Sequence, residues 1–169
     1  MKNIIFVRHA KSSWSNISLA DHDRPLNGRG KRNAPEMGKR LHDHNILPDK
    51  MISSSAKRAR GTAKRIAREI GYPTNEIVKT ERLFHSNTSD IIEVIKGINN
   101  TFNTVMIFGH NPGFTACVNA LSNSGISNIP TCGIASIQLR IEDWSQTEQG
   151  IGELIFFDFP KNKNPNYNI

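Results

Sequence analysis

The feature that most constrains this fold is the alternation of short apolar runs with longer segments of helical periodicity. Strands are predicted at five such runs: Ile4–Val7, Met51–Ser53, Val105–Phe108, Ile134–Ile141 and Leu154–Phe159. Because strands that alternate with helices form parallel sheets covered on both faces, we expect an α/β protein, a three-layer α/β/α sandwich with a mainly parallel central sheet. The last two runs follow each other without an intervening helix, which predicts an antiparallel edge.

Four segments carry the spacing of apolar residues that is typical of helices. The predicted helices are one that ends near Asn45, then Ala56–Ile70, Ser89–Ile98 and Pro112–Leu121. Pro35 is expected in the first turns of the first helix or at a kink within it. Gly71 is a stop signal for the second helix, and Pro112 suits the first position of the fourth.

The length of 169 residues favours a single domain, which we place at residues 1–160. The remaining residues 161–169 form a polar tail, which we expect to be frayed. Residues 10–30 make a long polar loop after the first strand. Loops of that length in a compact domain are usually functional or disordered, so this loop is a candidate part of a site.

The chain is basic, with a net charge of +7 and a pI of about 9.7. Such a charge favours anionic partners, which include nucleic acid, a phosphorylated molecule and an acidic protein surface. Aromatic residues make up only 7% of the chain and do not interleave with the basic clusters, as base stacking would require. Nucleic acid is therefore disfavoured, and most of the cations are expected on solvated helix faces.

Cysteine content and hydropathy bear on the compartment. Cys117 and Cys132 have no metal-type spacing and are expected to be buried, inert thiols. No apolar run approaches the roughly 20 residues that span a bilayer, and the first strand begins without a signal-peptide pattern. We therefore expect a reduced, cytoplasmic, monomeric protein with no membrane partner.

Cationic or imidazole side chains follow three of the predicted strands. Arg8 and His9 come directly after the first strand, Arg58 begins the helix after the second, and His110 follows the third. Ligands bind at the carboxyl ends of the strands in open α/β sheets, so these groups should share one rim. Any one of them alone would more often be a loop, turn or solvated helix residue, but all of them together predict a common pocket.

That pocket has the chemistry of a phosphoryl site. Arg8 and Arg58 can each present a planar fork to phosphate oxygens, and two helix N-termini add backbone donors. His9, which neighbouring cations keep neutral, could attack phosphorus as a nucleophile. His110 could donate to a phosphoryl oxygen and stabilise the transition state.

Four sequence blocks in this order resemble the signatures of the histidine phosphatase superfamily, and within it the small phosphohistidine phosphatases of the SixA type. The blocks are Arg8-His9-Ala10, Asp21-x-x-Arg24-Pro25-Leu26-x-x-x-Gly30, Ser55-x-x-Arg58-Ala59-x-x-Thr62 and Gly109-His110-Asn111-Pro112-Gly113. The resemblance implies a phosphoglycerate mutase-like fold and no metal or organic cofactor. It also implies that His9 forms a phosphohistidine intermediate in a pocket completed by Arg8, Arg58 and His110, with Arg24 entering from the long loop.

The chain departs from the family pattern in two places. The familiar Arg-His-Gly is Arg-His-Ala here, which should be harmless if Ala10 avoids positive φ. Larger members carry a carboxylate general acid after the second strand–helix pair, and no residue of this chain matches it clearly. The candidate proton donors are Glu81, His85, Asp21 and Asp23, although Asp21 is better suited to orienting the loop or pairing with an arginine.

The weak match for an acid bears on the substrate. An alkoxide leaving group needs a proton from the enzyme, whereas the nitrogen of phosphohistidine can take its proton from solvent. The short chain also leaves the mouth open, so the predicted substrate is phosphohistidine in a protein, such as a signalling protein. One alternative is a phosphatase of small phosphomonoesters. Another is a non-catalytic phosphate-binding domain, which intact His9 and His110 disfavour.

Overall fold

The computed structural model describes residues 1–167, and within them it has six strands and four α-helices in three layers. The elements are β1 Lys2–Arg8, α1 Gly28–Asp43, β2 Lys50–Ser54, α2 Lys57–Ile70, β3 Val78–Thr80, α3 Thr88–Lys96, β4 Thr104–Gly109, α4 Gly113–Ser122, β5 Ile134–Leu139 and β6 Gly152–Asp158. This confirms the predicted α/β/α sandwich. No helix in the described part of the chain is long and apolar enough to cross a bilayer.

The strands form one sheet in the order β3-β2-β4-β1-β5-β6. The pairs β3–β2, β2–β4 and β4–β1 are parallel, whereas β5 runs antiparallel to both β1 and β6. The predicted antiparallel edge is therefore confirmed. Strand β3 was missed by the sequence because it has only three residues, none of them buried, and so shows no apolar run.

The two faces of the sheet are covered by different helix pairs, which explains the unbroken apolar run in β1. Ile5 and Val7 face a core shared with α1 and α2, whereas Ile4 and Phe6 face a core shared with α3 and α4. Successive side chains of a strand point to opposite faces, so a central strand buried on both faces is apolar throughout. β1 therefore lies at the centre of the molecule and carries Arg8 at its end.

Several element boundaries differ from the sequence prediction. Helix α1 begins at Gly28, where the Asn27 side chain accepts a hydrogen bond from a backbone N–H of the first turn, so Pro35 lies in the helix interior rather than in its first turns. Pro112 immediately precedes α4 instead of occupying its first position. Gly71 ends α2 in the left-handed conformation, with φ of 76°, as predicted.

The C-terminal segment packs against the domain, so the prediction of a frayed tail is wrong for residues 161–167. The ring of Tyr167 stacks on His44 with centroids 3.9 Å apart and also contacts Phe156. Its hydroxyl donates to the carboxylate of Asp158 at 2.7 Å. One aromatic residue with a buried hydrogen-bond partner is enough to anchor a polar segment. Residues 168 and 169 lie outside the described part of the chain.

The start of α1 packs directly on the segment that follows β1. A Cβ at Gly30 would overlap the carbonyl oxygen of Lys11, whereas a Cβ at Gly28 would meet only the flexible end of Arg32. We predict that Gly30→Ala lowers the free energy of unfolding by about 1–3 kcal/mol because the backbone must move. Gly28→Ala is the matched control and should be neutral or stabilising. Denaturant unfolding measures both, and equal stability of the two variants would contradict this packing.

Candidate active site

The register of the central strands brings three chain segments to one rim of the sheet. Arg8 pairs with Gly109 across β1 and β4, and Ser53 of β2 pairs with Phe108 of β4. The backbone N–H of His9 donates to the carbonyl oxygen of Gly109 at 3.0 Å. The residues that follow β1, β2 and β4 are therefore neighbours, as the sequence predicted.

The His9 ring is held in one tautomer by the residue that follows it. Its Nδ1 lies 2.8 Å from the carbonyl oxygen of Ala10, which can only accept, so Nδ1 carries the proton and Nε2 keeps its lone pair. The ring is buried, and burial lowers its pKa to about 4. The charges of Arg58, Arg8 and Arg24 lower the pKa in the same direction, against the raising effect of the Ala10 bond. His9 is therefore a neutral imidazole with a free Nε2 at physiological pH.

Ala10 is fixed from the side of α2. Its backbone N–H donates to the Thr62 hydroxyl at 2.9 Å, and that hydroxyl donates to the carbonyl oxygen of Arg58 at 2.8 Å. Ala10 is fully buried and is not among the residues with positive φ. The change from glycine to alanine in the first block is therefore harmless, as predicted, and Thr62 ties the end of β1 to the start of α2.

Arg24 and Arg58 meet through one carboxylate from the long loop. Asp21 accepts from Arg24 Nη1 at 2.8 Å through one carboxylate oxygen and from Arg58 Nη2 at 3.0 Å through the other. Arg58 also donates to the backbone carbonyl oxygen of Asp21, and Arg24 Nε donates to that of Ser13. Both guanidinium groups are nearly fully buried. Asp21 therefore pairs with arginine, as predicted, and holds Arg24 beside Arg58.

Arg8 approaches from the other side. Its Nη1 donates to the carbonyl oxygen of Ile129 at 2.8 Å, and its Nε is buried without an acceptor among the described residues. Together Arg8, Arg24 and Arg58 supply the positive charge of the site. Within residues 1–167, no three His, Cys, Asp or Glu side chains cluster closely enough to hold a metal ion.

The second histidine is oriented by a residue that the sequence reasoning missed. Ser54 Oγ lies 2.8 Å from His110 Nε2 and also accepts from the backbone N–H of Ala56 at 3.3 Å. The Ser54 hydroxyl has no other acceptor among the hydrogen bonds of the described residues, so it donates to His110 Nε2 and the ring proton lies on Nδ1. The serine run that ends β2 was the available signal, since a buried hydroxyl at a strand end needs a partner.

His110 presents a buried donor next to His9. Its Nδ1 has no hydrogen-bond partner among the described residues, and the two rings lie with centroids 5.1 Å apart. Burial lowers the pKa of His110 to about 3, and the neighbouring His9 and Arg58 add to this effect. His110 therefore acts as a neutral donor rather than as a cation, and an anionic oxygen is the acceptor that suits both its Nδ1–H and Arg8 Nε–H.

The four candidate proton donors differ in the residues that they contact. Burial favours a higher pKa for Asp21, but the hydrogen bonds and charges of its two arginines outweigh this effect and lower the pKa. Asp21 is therefore ionised and is a poor acid. His85 reaches it at 3.6 Å and is largely exposed. Asp23 pairs instead with His22, and no ion pair or side-chain hydrogen bond joins Glu81 to the site in the described chain. Among residues 1–167, the candidate carboxylate that contacts the pocket arginines, Asp21, is thus held ionised.

An aromatic side chain that the sequence reasoning also missed lines this side of the pocket. Phe84 lies edge-on to His22 and His110, with ring centroids 5.0 and 5.5 Å away, and its ring contacts His85 at 4.0 Å. The signal for Phe84 was its place within the segment that carries the acid in larger relatives. A groove of about 330 Å³ runs from His85 and His110 along the start of α4.

Comparison with known proteins agrees with this geometry. The sequence model of the histidine phosphatase superfamily (branch 1) matches residues 4–86. An uncharacterized protein of Mycobacterium leprae is 33% identical over 167 residues, which cover 92% of this chain and 100% of that protein. A structure assigned as the phosphohistidine phosphatase SixA of Agrobacterium tumefaciens is 26% identical, with a TM-score of 0.80 over 94% of this chain and 98% of its own. A SixA protein histidine phosphatase in complex with tungstate is 19% identical, with a TM-score of 0.81 over 96% of this chain and 99% of its own. At that identity it supports the fold alone.

Fold and site together define a phosphatase that uses a histidine nucleophile. The chain belongs to the histidine phosphatase superfamily, and its fold is that of the SixA type.

The assigned tautomers can be tested by nitrogen-15 NMR of the histidine rings. We predict that His9 and His110 both carry their proton on Nδ1 and stay neutral down to about pH 5, because burial lowers both pKa values below the ordinary 6.5. In Ser54→Ala, the His110 ring should lose its fixed tautomer while that of His9 is unchanged. Titration of either ring near 6.5 in the intact protein would contradict the assignment.

Proposed function

We propose that this protein hydrolyses phosphohistidine in a protein substrate through a covalent intermediate on His9. The observation that carries the proposal is the free Nε2 of His9. The ring is buried and neutral, and the charges of three nearby arginines help to lower its pKa. A neutral imidazole is a nucleophile, whereas an imidazolium is not. Arg8, Arg24 and Arg58 are the groups that bind the phosphoryl oxygens, and His110 Nδ1 donates to the same group.

The reaction proceeds in two displacements at phosphorus. In the first, the lone pair of His9 Nε2 forms a P–N bond while the P–N bond to the substrate imidazole breaks, and the departing ring takes a proton from solvent. In the second, water attacks phospho-His9, the electron pair of the His9 P–N bond returns to Nε2, and the water proton leaves to solvent. The products are inorganic phosphate, free His9 and an unphosphorylated histidine. The arginines and His110 stabilise the charge that develops on the equatorial oxygens.

The candidate proton donors of the pocket favour a substrate with a P–N bond. Asp21 is held ionised by Arg24 and Arg58, and Asp23 pairs with His22. No ion pair or side-chain hydrogen bond among residues 1–167 joins Glu81 to the site. Alkoxide leaving groups depend on a general acid, which contributes about 10²–10⁴-fold in rate. An imidazole leaving group does not need one. These contacts therefore support phosphohistidine over an alkyl phosphate.

A small phosphomonoester is the second candidate substrate, and one observation favours it. His85 Nε2 lies 3.6 Å from Asp21 and is exposed at the mouth, so its protonated form could reach a leaving oxygen. A phosphatase of alkyl phosphates would depend on this side chain. A non-catalytic phosphate-binding domain is disfavoured because arginines alone would suffice for binding.

The setting that we propose is the reduced cytoplasm, with a phosphohistidine-bearing signalling protein as partner. Cys117 and Cys132 are buried and unpaired, and burial raises the pKa of both thiols to about 12. Two inert thiols without a disulfide are typical of a reducing compartment.

The covalent step can be tested by trapping. After incubation with radiolabelled phosphoramidate and rapid quenching, we expect acid-labile, base-stable phosphate on His9. His9→Ala should carry no label and lose roughly 10³-fold or more in turnover, and His110→Ala should keep the label site but slow by about 10²–10³-fold. Unchanged turnover in His9→Ala, with label on another residue, would falsify the mechanism.

The leaving-group preference can be tested by comparing three substrates under one set of conditions. We expect a phosphohistidine peptide and an aryl phosphate to exceed an unactivated alkyl phosphate by at least about 10²-fold in kcat/KM, because only the alkoxide requires a general acid. His85→Gln should leave phosphohistidine turnover unchanged. If alkyl phosphate turns over as fast as phosphohistidine and His85→Gln abolishes that activity, the second candidate is correct.

A further inference from the structure

The loop after β1 exposes three large apolar side chains within six residues. Trp14 is 68% exposed, Ile17 94% and Leu19 38%, and they make up half of the large apolar side chains exposed in residues 1–167. The other three, Met1, Leu47 and Val78, are scattered over the surface. Single exposed apolar residues are normal, but a cluster of them marks an interaction site. We refer to residues 14–19 as the apolar tip.

The apolar tip is held in place by its own base and turn. Ser12 bridges to Leu26 across the base of the loop, and the Ser13 N–H donates to the carbonyl oxygen of Pro25 at 2.8 Å. Within the tip, Asn16 Oδ1 accepts from both the backbone N–H and the hydroxyl of Ser18. A surface that is ordered before binding loses little conformational entropy when a partner docks.

The apolar tip also adjoins the phosphate-binding arginines. The Trp14 ring stacks on the Arg24 guanidinium, which lies 3.2 Å from the ring centroid. Arg24 in turn shares the Asp21 carboxylate with Arg58. A partner seated on Trp14 therefore lies one side chain away from the phosphoryl site.

The surroundings of the tip and pocket are strongly basic. Residues 9–32 and 55–60, which form the loop and the starts of α1 and α2, contain only two carboxylates, Asp21 and Asp23. The cations of the same segments are Lys11, Arg24, Arg29, Lys31, Arg32, Lys57, Arg58 and Arg60. At the opposite ends of α1 and α2 the charge is mixed, with Asp43 and Glu69 beside Lys39, Arg40 and Arg68. The mouth therefore complements an acidic surface.

We propose that the apolar tip and its basic surroundings form a docking surface for a folded acidic protein that presents its phosphorylated side chain to His9. The inference rests on the proposed function and names the surface that selects the substrate. The partner has an apolar patch that covers Trp14, Ile17 and Leu19, ringed by carboxylates that face the exposed lysines and arginines. A lipid surface would share the charge and the apolar contact, but hydrolysis of a protein phosphohistidine, the proposed function, favours the protein partner.

The kinetic test compares four substrates that carry the same phosphohistidine group. The substrates are free phosphohistidine, a short phosphohistidine peptide, a tryptophan-free acidic protein phosphorylated on one surface histidine, and that protein with the nearby carboxylates changed to lysine. We expect the acidic phosphoprotein to exceed both the peptide and its charge-reversed form in kcat/KM, with the advantage lost at high salt.

Variants of the tip separate docking from chemistry. Ile17→Ser with Leu19→Ser should lower kcat/KM for the acidic phosphoprotein by roughly five- to tenfold and leave free phosphohistidine unchanged. Leu47→Ser removes an exposed leucine from the far end of the sheet and is the matched control, with no effect on either substrate. Equal turnover of phosphoprotein and peptide, or an unaffected double variant, would overturn the docking surface. Absence of turnover by the intact protein with all four substrates would instead contradict the proposed function.

Trp14 provides a direct readout of contact. The other tryptophan, Trp144, is fully buried, so a shift in emission on binding reports Trp14. Adding the acidic phosphoprotein to His9→Ala, which cannot turn it over, should shift the emission to shorter wavelength. Vesicles of phosphatidylglycerol serve as the lipid arm of the experiment. A shift with vesicles and none with the phosphoprotein would contradict the proposal.

Discussion

The hydrogen bond between His9 Nδ1 and the carbonyl oxygen of Ala10 is the interaction on which the whole site depends. It fixes the proton on Nδ1 and so leaves Nε2 as the nucleophile. Its geometry depends in turn on the Thr62 hydroxyl, which holds Ala10 from α2. Since His9 lies at the end of a strand buried on both faces, the position of this ring is set by the core of the protein. A rigid nucleophile in a buried, cationic pocket is the form of pre-organisation that phosphoryl transfer requires.

Charge in the pocket is arranged so that the histidines stay neutral and the arginines stay close together. Three guanidinium groups near one another repel, and Asp21 offsets that repulsion between Arg24 and Arg58 by accepting from both. The same cations, together with burial, lower the pKa of His9. Asp21 thus organises the site and is unavailable as an acid. Its two roles connect the positions of the arginines with the preference for P–N bonds that we propose.

The sequence predicts the layers of the fold, the antiparallel edge and the convergence of the site residues His9, Arg58 and His110 on one rim. These succeed because they follow from apolar periodicity and from the rule that parallel strands end together. Ser54 and Phe84 could not be assigned, because their roles depend on contacts between segments far apart in the chain. Strand β3 was missed because it lies at the sheet edge with no buried residue. The packing of residues 161–167 was not predicted, because the stacking of Tyr167 on His44 cannot be recognised from the composition of the segment.

The most direct test of the site is a crystal structure of the protein with vanadate, which mimics the phosphoryl group in the transition state of its transfer. We predict a bond from vanadium to Nε2 of His9, with His110 Nδ1, Arg8 and Arg58 donating to the vanadate oxygens. A bond through Nδ1 of His9, or vanadate bound away from His9, would contradict the central claim that the Ala10 carbonyl leaves Nε2 as the nucleophile.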